Sequence, residues 1–198
     1  LAGLAARGMQ VIDLEGMANH RGSLFGAMGG QPSQRTFEAR LAMALEALDP
    51  RRPVVVEAES SKVGECRVPP ELWKAMAGAP RVALRVPRSC RAEYLVRAYG
   101  DLTADRGRLV GVVEKLRPAH AREVIAEWVA LAEAGDFATL AGGLMERHYD
   151  PRYEKHRARM GGAVEEVEAG SLAPQEMPGL VDRVAEAVLR VARGPSGG

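Results

Sequence analysis

The chain holds 198 residues, 46% apolar and 27% charged, a balance that supports a folded core and excludes wholesale disorder. Lys and Arg total 27 against 26 for Asp and Glu, which excludes a polybasic scaffold, although only four of those cations are lysine and 23 are arginine. No apolar run approaches the roughly 18–20 residues of a membrane span, and Cys66 and Cys90 alone make neither a disulfide framework nor a four-ligand zinc site.

In chain order, LAGLAARG reads as the last turns of a helix with Gly8 at its C-cap, and a chain that opens inside a helix is expected to have lost an upstream segment. A short buried strand follows over 9–14, then a polar, Gly-rich loop from Glu15 to Gln31. Ser33 is the expected N-cap of a helix carrying Phe37, Leu41, Leu45 and Leu48, stopped by Asp49-Pro50. The β-branched run at 53–58 predicts a strand buried on both faces of a parallel sheet. A loop over 59–68 leads to a helix at 70–77 opened by two prolines, a strand at 81–86 and a helix at 89–100. The stretch 104–147 reads as wholly helical. AVEEVEAG at 163–170 alternates like a late strand near a sheet edge, and an amphipathic helix runs from Pro178 to Arg193.

Strand and helix alternate, which predicts an α/β fold on a doubly wound, mostly parallel sheet with a helical insert before the last strand. The expected organisation is one domain over 1–160 with its insert at 104–147, joined by the late strand and C-terminal helix at 161–198. No signal peptide is visible, so a reducing cytoplasm is the expected compartment.

In such sheets ligands sit beyond the carboxyl ends of the strands, which directs attention to loops 15–31, 59–68 and 87–91. The first holds Asp13, Glu15, His20, Arg21 and Ser23 among glycines. Those groups suit an anionic phosphorylated ligand, with Arg21 as clamp and His20 as proton donor; equally, Arg21 paired to Asp13 or Glu15 would simply hold the loop. The second holds Glu57, Glu59, Ser60 and Lys62. Alternation puts both carboxylates on one side of the strand, where they would orient magnesium or an attacking water, or cap backbone amides. Lys62 is placed to reach a phosphate.

In the third, Arg88 and Ser89 open a helix and offer an anion site. Arg85, Arg91 and Arg97 lie nearby, and residues 81–108 carry seven arginines against three acids, the best candidate surface for an RNA backbone. LMERHYDPRYEKH at 144–156 sets His148, Tyr149, Asp150, Tyr153 and His156 after a helix. Tyr149 with arginine suits stacking on a base, or forms a buried hinge. Without H-E-x-x-H or CxxC no metal site is expected there. Both cysteines read as ordinary.

QVIDLEGMANHRGSLFGAMGGQPSQRTFEARL, VVVEAESSKVGECRVPPELW, RVALRVPRSCRAEYLVRAY and LMERHYDPRY, spanning roughly 8–157, resemble the C-terminal half of bacterial tRNA 2-selenouridine synthase. The resemblance implies an α/β domain of the P-loop NTPase type and a transferase acting on wobble 2-thiouridine in tRNA. It further implies that selenium from selenophosphate replaces sulfur through an S-geranylated intermediate made with geranyl diphosphate. In that family a rhodanese-like domain with a catalytic cysteine precedes the P-loop domain. Here neither that motif nor G-x-x-x-x-G-K-[ST] occurs, so the expected object is a fragment lacking the first strand and P-loop, inactive alone.

Matched position by position, Asp13, Glu15, His20, Arg21, Ser23, Glu57, Glu59, Ser60 and Lys62 would line the ligand site, with Arg88 and Arg91 near it. On chemical grounds Arg21, Lys62 and Arg88 are expected to neutralise the donor phosphates, Glu57 or Glu59 to orient magnesium or water, and His20 to move a proton. The implied partners are tRNA and a phosphorylated donor, with no membrane. A bare sheet edge would favour a homodimer. Two other readings stand beside this one: a kinase-like nucleotide-binding domain, and a non-catalytic RNA-binding module.

Overall fold

The computed structural model describes residues 1–57 and 60–193. Two units emerge: one gathers Leu1–Arg85, Met160–Glu168 and the segment from Pro174 onward, the other Val86–Arg159 with Ala169–Ala173.

The first unit opens with α1 (Ala2–Ala5). Gly8 closes the turn after it as expected: the amides of Gly8 and Met9 donate to the carbonyls of Ala5 and Leu4, the bond pair of a Schellman stop. β1 (Gln10–Ile12) pairs in parallel with β2 (Val54–Val56), Ile12 opposite Val56. Between them run α2 (Leu14–Ala18) and α3 (Gln34–Glu46). The Ser33 hydroxyl accepts the Thr36 amide, so the expected N-cap is the one used. Phe37 and Leu41, one helical turn apart on α3, are buried with Ile12, Leu14, Ala18, Val63, Cys66 and Val68 in a single core.

Within the expected 59–68 loop, β3 (Lys62–Val63) and β4 (Cys66–Arg67) form a small antiparallel hairpin, turned at Gly64 with φ 59°. Two-residue strands are too short to show an alternating pattern in sequence. α4 (Pro70–Gly78) leads to β5 (Arg81–Arg85), whose parallel partner is β6 (Val164–Glu168), with Arg81 opposite Val164 and Arg85 opposite Glu168. Gly162, at φ 80°, makes that return possible. A Cβ there would stand 2.3 Å from the Ala79 carbonyl oxygen, and the Arg81 amide reaches Ala163 O at 2.8 Å to begin the register. The last helix, α11 (Met177–Ala192), packs on β5 and β6, burying Leu180 and Ala187 while Arg190 pairs with Glu165 at 2.6 Å.

The parallel α/β character thus matches expectation, but the single doubly wound sheet does not appear. Among the described residues the ladders form two separate parallel pairs, β1–β2 and β5–β6, besides the hairpin. Val54, Val55 and Val56 are half-buried rather than enclosed on both faces, and among the described residues β2 has a hydrogen-bonded neighbour along one edge only.

In the second unit every regular element is helical: α5 (Arg88–Ala98), α6 (Gly100–Thr103), α7 (Arg106–Glu114), α8 (Arg122–Ala134), α9 (Phe137–Leu144) and α10 (Asp150–Arg157). Asp105 and Asp136 cap α7 and α9 by accepting the amides of Arg108 and Thr139. Leu109, Val113, Ile125, Trp128, Leu140 and Leu144, spaced three or four apart along their helices, supply the buried faces. Between α9 and α10 the chain runs as a π-helix over Met145–Tyr149. Among the described residues no helix is long and apolar enough to cross a membrane.

Candidate functional site

In the first unit the polar loop is built outward from the end of β1. Asp13 N-caps α2, its carboxylate accepting the Gly16 amide at 2.8 Å, and Glu57, just past β2, accepts the Glu15 amide at 2.7 Å. Two carboxylates therefore satisfy amides in the first turn of a helix that sequence pattern assigned to strand end and loop. Glu57 adopts the amide-capping role weighed for it. Glu59 lies outside the described residues.

Asn19 ends α2 in the left-handed conformation (φ 50°) and donates from its amide to Gly30 O at 3.0 Å. Beyond it the loop doubles back: His20 bridges Ala27, the Arg21 amide donates to Gly26 O at 2.9 Å, and the Ser23 amide to Arg21 O at 2.8 Å. Gln31 then locks the loop to the hairpin. Its Nε2 donates to Ala18 O at 3.0 Å and Val63 O at 3.2 Å, while its Oε1 accepts the Glu65 amide at 2.8 Å. Sequence reasoning missed Gln31 altogether; its position at the end of a Gly-rich loop gives no chemical signal.

His20 is 9% exposed, and its Nδ1 is buried without a hydrogen-bond partner among the described residues. Burial holds its pKa below the ordinary imidazole value, only partly offset by the charge of Glu65, so the ring is neutral near pH 7 with a lone pair or proton to offer. Ser60 and Lys62 serve the hairpin: the Ser60 hydroxyl donates to Lys62 O at 2.6 Å and accepts the Lys62 amide at 3.1 Å, and the Lys62 ammonium lies 3.3 Å from the Glu65 carboxylate. Arg21 and Ser23 stand in the same doubled-back loop as His20. Cys66 is buried, and burial pushes its thiol pKa up.

Among the described residues no group of three His, Cys, Asp or Glu side chains is arranged to hold a metal ion.

The arginines singled out for RNA are held by internal partners. In the first unit Arg85 pairs with Glu166 across β5 and β6. In the second, Arg88 reaches Glu146 at 2.8 Å and Asp150 at 3.8 Å. Arg91 grips Asp150 through two bonds of 2.8 and 2.9 Å, and the Arg91 guanidinium holds the Asp150 carboxyl below its usual range. Arg97 donates to Leu172 O at 2.9 Å.

Tyr149 stands edge-on to His148 and stacks with Tyr153 at 6.2 Å. His148, on the π-helix, is 5% exposed; its Nδ1 lies 2.8 Å from His120 Nε2 and its Nε2 receives the Arg152 guanidinium. Because arginine can only donate, Nε2 of His148 is the acceptor and Nδ1 carries the proton given to His120. Burial, then Arg152, then His120 lower its pKa to about 4.

A parallel α/β unit with a buried histidine in the loop beyond its first strand, followed in sequence by a helical unit laced with arginine–carboxylate pairs, defines an α/β protein. The family profile described as "tRNA 2-selenouridine synthase AAA domain" matches residues 3–111. The chain is 35% identical over 173 residues to the tRNA 2-selenouridine synthase of Aeromonas salmonicida strain A449, covering 73% of this chain and 47% of that protein. It is 36% identical over 186 residues to the tRNA 2-selenouridine synthase of Pseudomonas fluorescens strain Pf0-1, covering 78% of this chain and 50% of that protein. A shorter match of 93 residues reaches 48% identity with the tRNA 2-selenouridine synthase of Pseudomonas syringae pv. syringae, covering 44% of this chain and 25% of that protein. The chain belongs to the tRNA 2-selenouridine synthase family, and it spans about half the length of these relatives. No solved structure matches it.

Proposed function

We propose that the chain contributes the donor-handling part of a tRNA-modifying transferase that converts wobble 2-thiouridine to 2-selenouridine. In this reading selenophosphate and geranyl diphosphate are its phosphorylated substrates, and an S-geranylated nucleoside is the intermediate. The observation that carries it is His20: a buried, neutral imidazole with an unpaired Nδ1, in a polar loop of the segment shared with the relatives. A neutral imidazole is suited to move a proton as the nucleoside sulfur or selenium changes its bonding partner. Arg21, in the same loop, supplies the charge for a diphosphate or selenophosphate. Because the chain spans half of its relatives, complete turnover is assigned to the whole protein and the chain alone is taken to be inactive.

A second reading, a non-catalytic tRNA-binding module, is favoured by the structural duties of Asp13, Glu57, Ser60 and Lys62, each engaged in bonds within the first unit. Imidazole NMR separates the two. The first reading predicts that geranyl diphosphate or selenophosphate shifts the His20 ring nitrogens, and that Arg21→Gln abolishes the shift. Binding of tRNA with no response of His20 to either donor selects the second reading, and a chain that binds neither tRNA nor donor refutes both.

A further inference from the structure

Helix α8 carries two stripes. Ile125, Trp128 and Ala132 are buried in the core of the second unit. Arg122, Ala126, Val129 and Glu133 follow at steps of four, three and four, the spacing that keeps side chains on one side of a helix. Arg122, Ala126 and Glu133 are exposed and Val129 is half-buried. With Ile125 and the exposed Ala130 they line an apolar groove of about 320 Å³, bordered by Glu114 and Arg117.

The bordering charges are paired: Arg117 with Glu114, and Glu127, further round α8, with Arg147. The two charges at the ends of the stripe are not. Among the described residues neither the Arg122 nor the Glu133 side chain forms an ion pair. Within α8 their neighbours three and four residues away are Ile125, Ala126, Val129 and Ala130, all apolar. Arg106, which reaches the end of α8, donates at 2.9 Å to the main-chain carbonyl of Glu133 rather than to its carboxylate.

A reversed copy of the same helix satisfies both charges. About a two-fold axis passing between Glu127 and Trp128, Arg122 stands as far before the axis as Glu133 stands beyond it, and Ala126 as far before it as Val129 beyond it. Two antiparallel α8 helices therefore set Ala126 against the partner's Val129 at the centre and Arg122 against the partner's Glu133 at each end, about 8 Å from the axis at a rise of about 1.5 Å per residue. The small Ala126 permits close approach of the two backbones, with Ile125 and Ala130 on the flanks. Two arginines and two glutamates around the groove leave no net charge for a phosphate or a nucleic acid to seek. Glu123, Glu127 and Glu133 on one short helix oppose an anionic membrane. An unrelated helix would have to reproduce the charge spacing, whereas a second copy has it by symmetry.

We propose that α8 is a self-complementary docking surface on which a second copy of this chain packs antiparallel, with Arg122 of each protomer paired to the partner's Glu133. The proposal is independent of the tRNA chemistry and uses a surface other than a sheet edge.

The test is sedimentation equilibrium of the full chain in low salt from about 1 to about 300 µM, a range suited to the small interface that two helices make. A monomer–dimer equilibrium is expected. Arg122→Glu and Glu133→Arg should each raise the dissociation constant on the order of tenfold, because each sets like charges opposite one another at both ends, and the double variant should return it to within about threefold of wild type. Ala126→Gln, at the closest level of the pair, should weaken the dimer while leaving the chain folded, as circular dichroism will confirm for every variant. A chain that stays monomeric throughout overturns the proposal. So does a dimer unmoved by the two reversals or by Ala126→Gln, the behaviour of pairing along a sheet edge, and so does a dimer that both reversals weaken and the double variant fails to restore.

Discussion

Acid should loosen the second unit through one buried ring. His148 is 5% exposed, gives its Nδ1 proton to His120 and accepts from Arg152, so protonation would set a second N–H against a guanidinium that can only donate. Its pKa falls from the ordinary 6.5 to about 4 in the folded chain. The unfolded chain therefore takes up the proton first. The stability tied to neutral His148 is complete above pH 6.5 and is lost as the pH falls from 6.5 through about 4. At 1.36 kcal/mol per pH unit this amounts to at most about 3 kcal/mol. His120, also lowered by burial and by Arg152 and Arg147, adds a loss of the same sign. The assay is urea unfolding at pH 7, 6, 5 and 4 for the wild type and for His148→Asn, whose side-chain amide keeps a donor near the Nδ1 position without titrating. The wild type should lose more stability than the variant over this range. Parallel pH profiles would refute the assignment of the neutral ring.

Other perturbations follow from single contacts. Arg91→Ala removes the two-bond partner of the half-buried Asp150 carboxylate, leaving it the 3.8 Å contact with Arg88, and should cost about 2 kcal/mol, largely recovered in the double variant with Asp150→Asn, as a thermal-melt mutant cycle will show; a change in RNA salt dependence without loss of stability would instead make Arg91 a phosphate contact. Gly162→Ala places a methyl against the Ala79 carbonyl at positive φ and should cost at least about 2 kcal/mol in denaturant unfolding, with early loss of amide protection along Val164–Glu168. Glu57→Ala removes the acceptor of the Glu15 amide and should cost about 1 kcal/mol, with hydrogen exchange rising at Glu15 before it rises at Phe37.

Much of this architecture is legible in the residues. The apolar runs around Gln10–Ile12, Val54–Val56 and Arg81–Arg85 announce parallel strands, and Ser33 and Gly8 mark helix ends by local chemistry. What escapes a linear reading depends on partners far along the chain. The short α2 needs the carboxylate of Glu57, 42 residues beyond the amide it caps. The apparent cationic excess at 81–108 is reduced by Glu146 and Asp150, 58 and 59 residues beyond Arg88 and Arg91. The π-helix at Met145–Tyr149 continues an apolar pattern that looks like ordinary helix, yet it brings His148 to His120. In the His20 loop the residue types are visible in sequence; the isolation of Nδ1 and the lock supplied by Gln31 emerge only from packing.

The proposed chemistry makes one comparison decisive: the affinity of the chain for a tRNA carrying 2-thiouridine at the wobble position, measured with and without geranyl diphosphate, against the same tRNA carrying uridine. The account predicts binding that is tighter for the thiolated tRNA and tightened further by geranyl diphosphate, with the second effect lost in Arg21→Gln. Equal affinity for the two tRNAs with no response to geranyl diphosphate would contradict the assignment of donor handling to this chain.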